Sequence, residues 1–211
     1  MPAPSLTFRE RLALCDLFEE LGPGAPTLCE SWETADLAAH LVVRENDPRA
    51  APGILLGGTA ARLTERAMER ARGRGFHWMV DRLRGGPPWG PMRLGVIDRA
   101  DLIEWFVHHE DVRRADGRAP RAGIDDVDEA LWTILRTGGR FITRRLKGIG
   151  LELRRPDGAS IGVRGGDQLV RMVGRPSELV MFLTGRGADA GVELEGAAGA
   201  VESLRSARLG I

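Results

Sequence analysis

The chain has 211 residues, enough for one large or two small domains with a full buried core. Its 30 basic and 30 acidic residues cancel to a formal net charge of zero, which leaves no electrostatic footprint for nucleic acid or an anionic membrane surface as partner. The two cysteines, Cys15 and Cys29, are too few for a disulfide framework, and no apolar run of about 18 residues marks a membrane span, so the expected location is the reducing cytoplasm.

In chain order, Thr7-Phe8-Arg9-Glu10 fits a capping box. Phe8, Leu12, Cys15 and Phe18 predict the apolar stripe of a first helix, which Gly22-Pro23 ends. Thr34 is placed to cap a second helix that runs through Leu37, His40 and Leu41 to about Glu45 and stops before Pro48. Residues 46–58 carry Pro48, Pro52 and three glycines and read as an ordered loop. A third helix is expected over Ala60–Arg72, resuming through Phe76–Leu83, and the Gly85-to-Pro91 segment then forces a non-helical connection. Asp98 can cap a fourth helix bearing Leu102, Trp105, Phe106 and Val112.

After Asp116-Gly117-Arg118-Ala119-Pro120 the pattern changes. A helix is expected over Asp125–Lys147, loosened at Gly138-Gly139, followed by strands at 151–154, 160–163 and 169–173 with a turn at Pro156-Asp157-Gly158. A helix at 176–183 with Gly185 near its end, a strand at 192–194 and a last helix at 197–206 complete the chain. The expected fold class is α+β in two domains: a four-helix bundle over 1–122, and a helix plus small α+β domain over 123–211.

Within the bundle, Glu104 and His108 are four residues apart on one helical face, and His40 joins them from another helix. Two imidazoles and a carboxylate are the ligands of an open catalytic Zn²⁺ site or a non-haem iron site, with a position left for water or substrate. Asp111, three residues after His108, and Asp36, one turn before His40, are candidate acceptors for the second nitrogen of each ring. Arg44, one turn beyond His40, is a candidate for an anionic group near the metal; its alternative is a surface arginine pairing with a nearby acid.

The same residues have structural alternatives. Glu104 and His108 can be an exposed helical pair, and His40 a satisfied core histidine between Leu37 and Leu41. His109, about 100° around the helix from His108, reads as solvent-facing or as a helix partner. His77 reads as packing, Cys15 as a small buried hydrophobe, and Cys29 has no histidine beside it in sequence.

The segment Trp32…Asp36-Leu37-x-x-His40-Leu41, followed by Glu104-x-x-x-His108-x-x-Asp111, resembles the N-terminal metal-binding domain of mycothiol-dependent maleylpyruvate isomerases, within the DinB-like four-helix-bundle superfamily. The run from Val170 to Leu179, with Leu183-Thr184-Gly185-Arg186 after it, is similar to the sterol-carrier-protein-like C-terminal domain of the same proteins. The stretch from Val43 to Gly53 looks instead like an actinobacterial branch distinct from the isomerase itself. The resemblance implies His40, Glu104 and His108 as metal ligands. It implies zinc as the usual ion, with Ni²⁺ or Fe²⁺ as other divalent candidates, and mycothiol as a thiol cofactor.

On that footing the expected activity is a metal- and thiol-dependent isomerase or transferase in which the metal lowers the pKa of the cofactor thiol. The expected partners are a small-molecule substrate and a low-molecular-weight thiol, with the chain a monomer or homodimer. Two alternatives use the same residues: a hydrolase with metal-bound hydroxide as nucleophile, and a non-catalytic ligand-binding module.

Overall fold

The computed structural model describes residues 4–29, 31–47, 59–87 and 98–210. They form two compact units, the first running to Pro120 and the second beginning at Arg121. The first unit is helical, with α1 (Leu6–Leu21), α2 (Thr34–Asn46), α3 (Thr59–Arg72), α4 (Phe76–Arg84) and α5 (Asp98–Ala115). Helices α3 and α4 follow one another across residues 73–75, where Gly75 takes a φ of +92°. Helix α1 packs on α4 and α5, and α2 on α3 and α4, around Leu14, Phe18, Leu37, Leu41, Met79, Leu83 and Trp105. The expected loop over 48–58, the Pro88-to-Pro91 part of the connection and the side chain of Asp98 lie outside the described residues.

Two details of the first unit differ from the sequence pattern. Helix α1 is capped by Ser5, whose Oγ accepts from Phe8 N at 3.2 Å, and Thr7 is buried inside its first turn. Its buried face also runs through Glu10, Arg11, Leu14 and Phe18, leaving Phe8 39 % exposed. The cause is a pair of buried charge contacts. Arg11 donates from Nη1 to Glu45 Oε2 at 2.7 Å and to Leu83 O at 3.0 Å, pairs through Nη2 with Glu45 Oε1, and lies 4.1 Å over the Trp105 ring. Glu10 Oε2 lies 3.0 Å from His109 Nδ1, so of the two readings of His109, solvent-facing ring or helix partner, the second is the one found. The second difference is at α2, where Glu33 is the N-cap and forms a reciprocal capping box with Asp36, while the Thr34 hydroxyl donates to Gly22 O.

The second unit holds α6 (Asp125–Ile142), β1 (Ile149–Arg154), β2 (Ser160–Arg164), β3 (Gln168–Val173), α7 (Pro176–Leu183), β4 (Glu193–Gly196) and α8 (Ala198–Arg205). The sheet order is β2-β1-β3-β4, with β1 and β3 parallel and the other pairs antiparallel. To pass from β2 to β3 the chain crosses the end of β1, and Gly166 makes the crossing possible. A Cβ there would sit 2.3 Å from Gly150 N and from the Ile149 carbonyl carbon.

Helix α6 is not loosened at Gly138-Gly139 but continues to Ile142 and ends short of Lys147. Its Gly139 lets the helix lie against β2, where a Cβ would come 2.6 Å from Val163 Cγ1. Asp128 of α6 accepts from Ser177 N at 2.8 Å, supplying α7 with a cap from a distant residue, and pairs with Arg175 at 2.6 Å.

Candidate metal centre

Helix α2 is buried along most of its length, so His40 projects into the bundle rather than into solvent. Helix α5 is buried from Leu102 through Val112 almost without a break, which carries Glu104 and His108 to the same place. The three groups meet at one oxygen. Glu104 Oε1 lies 3.4 Å from His40 Nε2 and 3.3 Å from His108 Nε2, and one donor atom from each residue falls within 4.8 Å of the others. The two imidazole rings stand edge to face, 5.4 Å apart at 74°.

The surroundings fix each group. Trp32 covers His40 at a ring distance of 5.2 Å, held by the turn in which Trp32 N donates to Cys29 O and the Thr27 hydroxyl to Trp32 O. Arg44 reaches Glu104 Oε1 through Nε at 3.3 Å and Asp101 Oδ1 through Nη2 at 2.8 Å, whereas its buried Nη1 has no hydrogen-bond partner among the described residues. Asp111 Oδ2 lies 2.9 Å from His108 Nδ1, the position expected of an acceptor behind a ligand ring. Asp36 has a different role from the one read in the sequence. Its Oδ1 pairs with Arg72 at 2.6 Å and its Oδ2 closes the α2 cap, because its place in the first turn turns it toward α3.

Charge is unevenly shared between the rings. Burial, helped by the neighbouring His108 and opposed by Glu104, holds His40 below the ordinary imidazole range. Burial also opposes a charge on His108, but Asp111, Cys29 and Glu104 outweigh it and hold that ring well above the range. Glu104 resists burial in the same way: hydrogen bonds from His108 and His40 and the Arg44 charge keep its carboxyl well below its usual range. The centre therefore contains a neutral nitrogen donor, a carboxylate and a second imidazole oriented by its own acid. That nitrogen–nitrogen–oxygen set has the chemistry of an open divalent-metal site.

Two neighbours escaped the sequence reading. Cys29 Sγ lies 3.2 Å from Asp111 Oδ2 and 3.9 Å from His108 Nδ1, although 79 positions separate it from that histidine. Asp101 precedes Glu104 by three residues on α5, a spacing that could have flagged it. Of the remaining readings, Cys15 is fully buried against Val80 O and its thiol is pushed up to about 12 by burial. His77 is exposed rather than packed, and its ring meets Phe76 edge-on at 6.3 Å.

No protein-family model and no curated protein gives a significant match to the sequence. Among solved structures the chain is similar to a mycothiol-dependent maleylpyruvate isomerase. A histidine-to-alanine variant of that enzyme aligns with a TM-score of 0.60 at 16 % identity, over 90 % of this chain and 90 % of that one. A further crystal structure under the same name aligns with a TM-score of 0.51 at 18 % identity, with 90 % of each chain covered. At this identity the likeness is one of fold, and it extends across both units. No helix among the described residues is long and apolar enough to cross a membrane.

Proposed function

We propose that this protein binds a divalent metal ion through His40, Glu104 and His108 and uses it to activate a low-molecular-weight thiol, as a mycothiol-dependent isomerase or thiol transferase. The observation that carries the reading is the meeting of His40 Nε2 and His108 Nε2, both on buried rings, at Glu104 Oε1. The shared fold with a mycothiol-dependent maleylpyruvate isomerase supports the thiol part. Zinc suits two imidazoles and a carboxylate, and Ni²⁺ and Fe²⁺ suit them as well.

A cation bound there would supply the positive charge that makes a coordinating thiol a thiolate near neutral pH. The residues of the chain divide the remaining work. Asp111 accepts from His108 Nδ1, which leaves Nε2 to ligate once an ion displaces its proton, and burial keeps His40 neutral for the same purpose. Glu104 brings one negative charge; His108, His40 and then Arg44 outweigh its burial and keep the carboxylate ionised, and Arg44 also holds it in place. Arg44 Nη1, buried and without a hydrogen-bond partner among the described residues, is the group assigned in this reading to an anionic group of the substrate or the thiol. The reaction is then nucleophilic catalysis by a small-molecule thiol. Addition and elimination give an isomerisation, and retention of the thiol gives a transfer.

The test is thermal denaturation of the zinc-loaded protein with and without millimolar mycothiol. A ligand that binds only the folded state raises the transition, so a thiol-dependent rise that disappears after zinc is chelated is expected. An unchanged transition with zinc in place would reject thiol use and favour the hydrolytic reading of the same ligands.

A further inference from the structure

His108 is flanked by a carboxylate at each ring nitrogen, and the second flank has a sulfur donor beside it. On the Nε2 side stands Glu104 Oε1 at 3.3 Å, and on the Nδ1 side stands Asp111 Oδ2 at 2.9 Å with Cys29 Sγ 3.2 Å beyond it. We propose that Cys29 Sγ, Asp111 Oδ2 and His108 Nδ1 form a second, thiophilic metal-binding set that shares His108 with the first.

The distances are those of a near-formed site. Zinc bonds of about 2.3 Å to sulfur and about 2.0–2.1 Å to nitrogen and oxygen place tetrahedral donors about 3.3–3.6 Å apart. The three separations here are 2.9, 3.2 and 3.9 Å, so small side-chain rotations suffice to bring the atoms around one ion. The backbone already joins the two elements at this point, since Leu28 N donates to Asp111 O at 3.2 Å. Asp111 is fully buried and His108 nearly so, while Cys29 is half-buried on the loop before α2. Among the described residues only these two groups of donors have metal-site spacing.

The two sets exclude one another. A neutral imidazole has one lone pair to give, on whichever nitrogen lacks the proton. When Nε2 ligates with His40 and Glu104, the Nδ1 proton goes to Asp111; when Nδ1 ligates with Cys29 and Asp111, the Nε2 proton goes to Glu104. Each carboxylate is a ligand in one state and the acceptor behind the ring in the other. Ion softness decides between them, because thiolate favours soft ions and the nitrogen–nitrogen–oxygen set does not.

The probe is Co²⁺ or Cd²⁺ added to metal-free full-length protein, read by the thiolate-to-metal charge-transfer band. Cys15 is replaced by serine throughout, so that Cys29 is the only thiol. In His40→Ala, which dismantles the first set, one equivalent of ion is expected to bring up the band. The band is expected to vanish in His40→Ala/Cys29→Ser and to weaken at least tenfold in affinity in His40→Ala/Asp111→Ala. His40→Gln replaces His40→Ala if the alanine variant loses its native helix content. No band under saturating ion, or a band indifferent to Cys29, overturns the proposal. Zinc content of Cys29→Ser reports on the first set alone, so failure of either site is read separately.

Discussion

His108 Nδ1 stands 2.9 Å from Asp111 Oδ2, on the side of the ring opposite the Glu104 carboxylate. The contact orients the ring and favours the proton on Nδ1, so that an ion displacing the Nε2 proton would find that nitrogen's lone pair. Asp111→Asn keeps the shape of the side chain and removes its charge. In a Cys29→Ser background, zinc affinity measured by chelator competition is expected to fall about 10–100-fold. An unchanged affinity would mean that Asp111 plays no part in holding the ligand ring.

The Arg11–Glu45 pair lies inside the bundle with almost no solvent contact. Removing one partner strands a buried charge, so Glu45→Gln is expected to lower the unfolding free energy by about 3–5 kcal/mol in urea. The joint replacement Arg11→Met/Glu45→Leu removes both charges and is expected to recover most of that loss. Equal destabilisation by the single and the double variant would contradict this account of the pair.

Gly166 is required by backbone proximity rather than by a turn. Gly166→Ala places a methyl group against Gly150 N, and a destabilisation of about 3 kcal/mol is expected from the forced displacement. Gly162→Ala, with nothing within 4 Å of its Cβ, is the control in the same sheet and is expected to cost far less. Similar melting temperatures for the two variants would refute the crossing.

Burial pushes the Cys15 thiol from its ordinary 9.0 up to about 12. Because the folded value is raised, the unfolded chain ionises first. The contribution is therefore intact below about pH 9 and is lost as pH rises toward about 12, costing on the order of 1 kcal/mol by pH 10. Cys15→Ala is expected to flatten the fall in stability between pH 9 and pH 11, and native Cys15 is expected to resist alkylation at pH 8. A stability–pH slope identical in wild type and variant would count against it.

How much of this was legible in the sequence follows from the kind of signal each feature leaves. Glu104 and His108 are four residues apart on one helix, so their shared face can be inferred from spacing, whereas His40 lies on another helix and joins them through the family resemblance. The strands of the second unit announce themselves by short runs with alternating apolar residues between turn residues, within one to two residues of their observed ends. The face of α1 was misplaced because Glu10 and Arg11 occupy core positions through partners 99 and 34 residues away, and a charged residue does not register in an apolar pattern. Gly138-Gly139 looked like a helix breaker, yet Gly139 is there for Val163 of β2. Cys29 was passed over for the same physical reason: only the fold brings it to Asp111.

The central claim is that His40, Glu104 and His108 hold a divalent ion. Its most direct test is metal content by elemental analysis of protein purified without chelators, comparing Cys29→Ser with Cys29→Ser/His40→Ala, so that the sulfur-containing set cannot contribute. The account predicts about one zinc, nickel or iron per chain in Cys29→Ser, and at least a tenfold loss on removing His40. A metal-free Cys29→Ser protein, or a double variant that keeps its ion, would contradict it.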